Sequence, residues 1–206
     1  NFSLSLGKTL SNSWPLNPIT TLLLGPISRR SYGQNQRSIF SFLASSEALG
    51  FQDYLRKTEK GTNSTFLPEN LWDYLMFNLA SSIAVSTDGH HFTSVNDALG
   101  RCQSENPLEL SIIKTISLLE LTQQQSGLGA DLKTLGLCLP HVSKEALVST
   151  LKILENRSII IFKKFRDVYA LYEGSDFDID DALKAAYREM SAVDISSVSD
   201  ALTVSS

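Results

Sequence analysis

The chain has 206 residues and a formal charge of −4, long enough for one large or two small domains and without the excess of positive charge that marks a dedicated polyanion binder. No apolar run approaches the ~18 residues of a membrane span, so no membrane partner is expected. Two cysteines, Cys102 and Cys138, are too few for a disulfide framework. Neither has a metal-ligand neighbour at short spacing, which points to a reduced, cytoplasmic setting and to no metal site.

The chain opens on Asn1 with no basic stretch leading into an apolar block, and is expected to be a piece of a longer polypeptide. Gly7-Lys8-Thr9 has the ending of a phosphate-binding P-loop. The loop also needs a glycine at position 2, where Phe2 stands, so no P-loop is read there. Trp14-Pro-Leu-Asn-Pro18 predicts an extended lead-in, because residues before proline avoid the helical region. Asn17 as cap and Pro18 in the first turn then start a helix over 19–32. Ile19, Leu22, Leu23 and Ile27 form its stripe, Pro26 should kink it, and Gly33 closes it. Arg29 and Arg30 fall in its last turn, where cations complement the dipole.

Asn35 is positioned to cap a second helix, whose apolar body holds Ile39, Phe40, Phe42 and Leu43. Arg37 lies in its first turn, where a cation opposes the dipole, so its partner must lie elsewhere: a carboxylate of the protein or an anion held at the helix start. A short helix over 50–55 follows, then a polar connection over 58–65. Leu71, Leu75, Leu79 and Ile83 predict an amphipathic helix over 71–85, widened by Trp72, Met76 and Phe77. Residues 88–92 are predicted as a loop containing His90 and His91, and 94–103 as a short helix.

From 108 to 175 the pattern becomes helix, helix, helix, hairpin. Leu110, Ile113, Ile116 and Leu119/Leu121 mark a helix over 108–122, and a Gln, Ser and Gly break leads to a shorter one over 130–139, stopped by Pro140. Ser143 caps a third over 144–156, with Leu147, Leu151 and Leu154 inward. Residues 158–165 and 168–172, rich in β-branched and aromatic side chains, flank the polar turn Arg166-Asp167. This is the order of a winged helix-turn-helix. A helix over 177–190 and a serine-rich tail over 191–206 complete the chain. The expected fold is therefore mainly α: a helical subdomain over 14–104, then a winged-helix domain over 105–190 with a small two-stranded antiparallel wing.

Charge is uneven. Residues 141–172 carry six basic side chains against three acidic ones, whereas 173–206 carry eight acids and two bases. In a winged unit the third helix enters the major groove and wing cations meet phosphates. Lys152 and Asn156, one turn apart, are the candidates for base edges, and Lys163, Lys164 and Arg166 for phosphates. Charges on the third helix nearly cancel, however. No Ser/His/Asp, Cys/His or paired-carboxylate constellation can be placed on neighbouring elements, so a purely structural, partner-binding helical domain is the third alternative.

Two stretches resemble a known family. One is Trp14-Pro-Leu-Asn-Pro-Ile-Thr-Thr-Leu-Leu-Leu-Gly-Pro-Ile-Ser-Arg-Arg, continuing through Gly33-Gln-Asn-Gln-Arg-Ser-Ile-Phe-Ser-Phe-Leu-Ala-Ser-Ser-Glu47. The other is Glu155-Asn-Arg-Ser-Ile-Ile-Ile-Phe-Lys-Lys-Phe-Arg-Asp-Val-Tyr-Ala-Leu-Tyr-Glu-Gly-Ser-Asp176. Both are similar to segments of large bacterial AAA-like or STAND-like P-loop ATPases, many from phage-defence loci and including the large ATPase of BREX systems. The resemblance implies a helical lid and a winged helix lying C-terminal to a nucleotide-binding core that is not in this chain. It implies ATP and Mg²⁺ for the parent protein, the upstream core as partner, and scope for a homo-oligomer or DNA contact. Arg37 becomes the lid arginine that reaches the γ-phosphate, with Arg29 and Arg30 as competitors and Asn35 beside it. The family's histidine after Pro-Leu is replaced by Asn17, so no role of that histidine carries over.

Overall fold

A long helix with apolar or small residues on every face has to be buried on every face, and the fold is arranged accordingly. The computed structural model describes residues 12–30, 39–59, 64–102 and 106–173. Its elements are α1 (Pro18–Ser28), α2 (Ile39–Ala44), α3 (Phe51–Lys57), α4 (Pro68–Ala84), α5 (Gly89–Cys102), α6 (Pro107–Ser126), α7 (Leu132–Cys138), α8 (Lys144–Asn156), β1 (Ile160–Lys163) and β2 (Val168–Leu171). The protein is mainly helical with one small antiparallel two-stranded sheet.

The central element is α6. Asn106 caps it, accepting the Leu108 N–H at 3.1 Å, and it stops at Gly127, whose φ of 69° suits a residue without Cβ. The stripe predicted over 108–122 is only part of it, since Ile112 and Leu118, off that stripe, are as fully buried as Ile113 and Ile116. The helix also runs one turn further, to Ser126. Helices α1, α4, α5, α7 and α8 and strand β2 all pack on it. Ser117 and Thr122 can be buried there because their hydroxyls donate back to the carbonyls of Ile113 and Leu118, both at 2.7 Å.

Helix α1 is set by Asn17, whose Oδ1 accepts the Ile19 N–H at 2.9 Å while Pro18 fills the first position. The Asn17 amide also donates to the Leu137 carbonyl at 2.9 Å, tying the start of α1 to the end of α7. The predicted run to residue 32 is too long: α1 ends at Ser28 with Arg29 as its C-cap, so Arg29 and Arg30 lie beyond the last turn. Of the extended lead-in predicted from residue 14, residues 14–15 instead belong to a turn over 12–15, while Leu16 and Asn17 are extended. Leu16 and Phe66 then form a parallel bridge, and Phe66 packs edge-on against Phe42, Phe51 and Tyr54. Of the second predicted helix, the body appears as α2; its proposed cap and first turn lie outside the described residues.

Of the loop predicted at 88–92, residues 89–92 are instead the first turn of α5. A Cβ on Gly89 would stand 2.6 Å from the Ala84 carbonyl oxygen, so glycine lets α5 start almost on top of the end of α4. Phe92 then stacks on Trp72, centroids 4.7 Å apart, which holds 89–92 against α4. Lys114 and Asp73, 2.8 Å apart, join α6 to α4.

In the second half, α8 and its Ser143 cap fall where the spacing predicts. The hairpin pairs Ile160 with Leu171 through to Lys163 with Val168, turning at Asp167 with φ 56°. Helix α7 begins at Leu132 rather than 130 because Asp131 is its cap, accepting the Lys133 and Thr134 N–H groups at 2.9 Å. Ala130 is committed elsewhere, its carbonyl accepting the Tyr169 N–H at 3.0 Å. The outer edge of β2 is thus covered by the α6–α7 connection and by Glu120, which accepts the Leu171 N–H at 3.2 Å. Arg101 of α5 holds the base of the hairpin through the Tyr172 carbonyl at 3.2 Å.

The described residues up to Tyr172 form one compact unit. The predicted boundary near 105 coincides with the start of α6, which packs on the helices of both halves. The helix predicted over 177–190 and the tail over 191–206 lie outside the described residues, as does Gly7-Lys8-Thr9.

Asn17→Ala removes both a cap and the donor to a carbonyl of α7, so a loss of about 2 kcal/mol is expected from the urea midpoint. Asn17→Asp keeps the capping oxygen and loses only the donor, and should fall between the two.

Candidate functional site

The arginines that the sequence marks for nucleotide sensing part company in the structure. Arg29, at the end of α1, is exposed, its guanidinium lying back along the helix near Gly25. Arg30 turns inward. Its guanidinium pairs with Asp88 and donates to the Leu121 carbonyl, and stands 3.4 Å from the Gln125 side-chain oxygen. Its Nε is buried without a hydrogen-bond partner. Arg30 therefore fastens the end of α1 to the α4–α5 turn and to the last turns of α6. Asn35 and Arg37 lie outside the described residues.

The residues marked for nucleic acid form two groups. Lys152 and Asn156 are both exposed on α8, four residues apart and so on one face. Glu145 and Glu155 are exposed on the same helix and offset its lysines. At the end of the hairpin Lys164 and Arg166 are exposed and Lys163 is half-buried, with the Arg166 guanidinium 5.2 Å from the Phe165 ring centroid.

Arg157, the next basic residue along, has a different task. It lies 2.9 Å from Glu109, a carboxylate in the first turn of α6 that is only 3% exposed, and the Cys102 thiol donates to the same oxygen at 3.2 Å. The pair joins the end of α8 to the start of α6. Nothing in the sequence announced it, because the partners are 48 positions apart and each looks like an ordinary surface charge.

Also unannounced is a groove of about 610 Å³ between α7, the first turn of α8 and the hairpin, lined among others by Lys133, Gly136, Lys144, Phe162 and Tyr169. Two titratable groups near it are displaced. Burial, and then the charge of Asp131, pushes the Cys138 thiol up to about 12, so it is inert as a nucleophile near neutral pH. Burial pushes the Asp131 carboxyl up too, but the N–H and hydroxyl of Thr134 with the N–H of Lys133 outweigh it and hold the group below its ordinary 3.8.

Among the described residues no three His, Cys, Asp or Glu side chains are grouped to hold a metal ion. His90 and His91 sit in the first turn of α5, and a ring nitrogen of His91 lies 3.0 Å from the Ser117 carbonyl of α6. No helix among these residues is long and apolar enough to cross a membrane. Comparison with family models, with curated proteins and with solved structures finds no match to this chain.

A carboxyl with a lowered folded pKa adds stability that is present above its unfolded value and lost as pH falls through the folded one. As pH falls through and below the ordinary carboxyl value of 3.8, the wild-type chain should therefore lose denaturant resistance more steeply than Asp131→Asn, which keeps a capping oxygen but cannot titrate. Urea midpoints across that range check it.

Proposed function

We propose that this chain is a transmission module, a helical lid followed by a winged helix, belonging to a larger bacterial P-loop ATPase of the phage-defence kind. The observation that carries the reading is the sharing of α6. One helix is packed by α1, α4 and α5 from the first half of the chain and by α7, α8 and β2 from the second. A displacement imposed at the end of α1 would be passed on as rigid-body movement, because close-packed cores do not deform continuously. The winged part of the reading is supported by the order α6, α7, α8, β1, β2. It is also supported by the bond from Tyr169 to Ala130, which lays the α6–α7 connection beside the hairpin as a third strand would lie. The two family-like stretches include α1 and the hairpin, and α1 and β2 both pack on α6.

ATP and Mg²⁺ would be held by the upstream core, and their phosphates supply the developing charge. From this chain the fitting group is a free guanidinium. Arg29 is exposed, and Arg37 stands in the stretch that resembles the lid start, with Asn35 beside it. Arg30 is occupied by Asp88 and the Leu121 carbonyl, which suits it to relaying rather than touching phosphate. The setting is cytoplasmic and the parent a candidate homo-oligomer. In the full-length protein, Arg37→Ala should lower ATP turnover by about a thousandfold while nucleotide binding persists. Unchanged turnover, or the lack of a P-loop upstream of Asn1, would overturn the reading.

A second reading, winged-helix contact with DNA, is favoured by the exposed Lys164 and Arg166 beside Phe165 and by Lys152 with Asn156. Two or three phosphate contacts give a shallow salt dependence, with log K falling about two to three units per decade of salt. Retardation of a random duplex at low salt, reduced by Lys164→Ala with Arg166→Ala, is the expected result. No retardation at micromolar protein removes this reading.

A further inference from the structure

We propose that the hydroxyls of Ser111 and Thr115, one turn apart on α6, hold a single buried water molecule between them as a structural ligand of the core. This does not rest on the ATPase reading.

Ser111, Thr115, Ser117 and Thr122 are all buried on α6, yet they fall into two kinds. Ser117 and Thr122 are satisfied within the helix, donating to the carbonyls one turn back at 2.7 Å. Helix geometry offers Ser111 and Thr115 the equivalent carbonyls, those of Pro107 and Ser111, and they donate to neither. Ser111 is 5% exposed and Thr115 is wholly withdrawn from solvent, and neither hydroxyl has a hydrogen-bond partner among the described residues. A buried hydroxyl without a partner carries its full desolvation cost, and native proteins commonly meet that cost with an internal water.

Spacing points to one molecule rather than two. Side chains four residues apart on a helix have Cβ atoms about 5–6 Å from each other. Two O–H···O bonds of about 2.7–2.8 Å, laid end to end, cover the same span. At roughly 100° per residue the pair lies on the side of α6 turned away from Glu109 and Glu120, which serve Arg157 and β2.

Chemistry selects the ligand. Neither hydroxyl carries charge, and the adjacent ammonium of Lys114 is paired with Asp73 of α4, 2.8 Å away. An ion held by two neutral hydroxyls in this core would stay uncompensated, and an apolar molecule would leave both of them unsatisfied. Larger polar molecules meet the fully buried Ile112, Ile116, Leu118 and Leu119 of the same helix. Water, which both donates and accepts, is the ligand that suits the pair.

A crystal structure of the intact chain, at a resolution that shows single waters, is the first test. Expected is one water within hydrogen-bond distance of Ser111 Oγ and of Thr115 Oγ1, and its loss in Ser111→Ala with Thr115→Val. Hydroxyls turned back onto the Pro107 and Ser111 carbonyls, or no density shared between them, would overturn the proposal. Urea midpoints give an independent readout. Thr115→Val nearly keeps the shape of the side chain, so removing an orphaned hydroxyl should raise the midpoint, whereas removing one bound to water should lower it. Because the two hydroxyls share one molecule, the double variant should lose less than the sum of the two single losses. A raised midpoint in Thr115→Val, or strictly additive losses, would also overturn the shared water.

Discussion

Burial of α6 on all sides is the constraint from which the rest follows. Ile112, Ile113, Ile116, Leu118 and Leu119 are each fully withdrawn from water, and such side chains contribute roughly 1.5–3 kcal/mol apiece. They point in different directions around the helix, so no single neighbour can cover them. Helices α1, α4, α5, α7 and α8 and strand β2 are therefore all packed against α6. A helix covered in this way cannot shift against one of them without disturbing the others.

The charged groups reinforce the same arrangement. Glu109 and Arg157 close the start of α6 against the end of α8, while Arg30 closes its far end against α1 and the α4–α5 turn. Lys114 and Asp73 add a tie to α4 between them. The Glu109 carboxylate is deeply buried but its partner is half exposed, with 49% of the Arg157 side chain accessible, so the desolvation cost falls mainly on one ion. Such pairs add little net stability, but losing one partner would strand a buried charge, which penalises any other arrangement of these helices.

This frame holds the end of α1 and the hairpin in one body through α6. The end of α1, where Arg29 is exposed, leads in sequence toward the residues proposed to sense nucleotide. The hairpin, α7 and the first turn of α8 frame the groove, whose lining holds Lys133 and Lys144 together with Asp131 and Asp167. A displacement felt at one would reach the other through α6, whatever chemistry drives it.

Local chemistry was legible from the residues alone. Asn17 with Pro18, and Ser143, announce two helix starts, and the Arg166-Asp167 turn announces the hairpin, because caps and turns depend on neighbours within a few positions. The same locality explains the errors. Residues 88–92 looked like a loop because the Trp72–Phe92 stack and the close approach at Gly89 were not visible, and Ala130 looked helical because its bond to Tyr169 was not. What tertiary structure alone decided is which surfaces meet: the full wrapping of α6, the union of Glu109 with Arg157, the occupation of Arg30, and the groove. Each joins groups dozens of positions apart, and a linear pattern carries periodicity along one element but no information about the direction from which another will approach it.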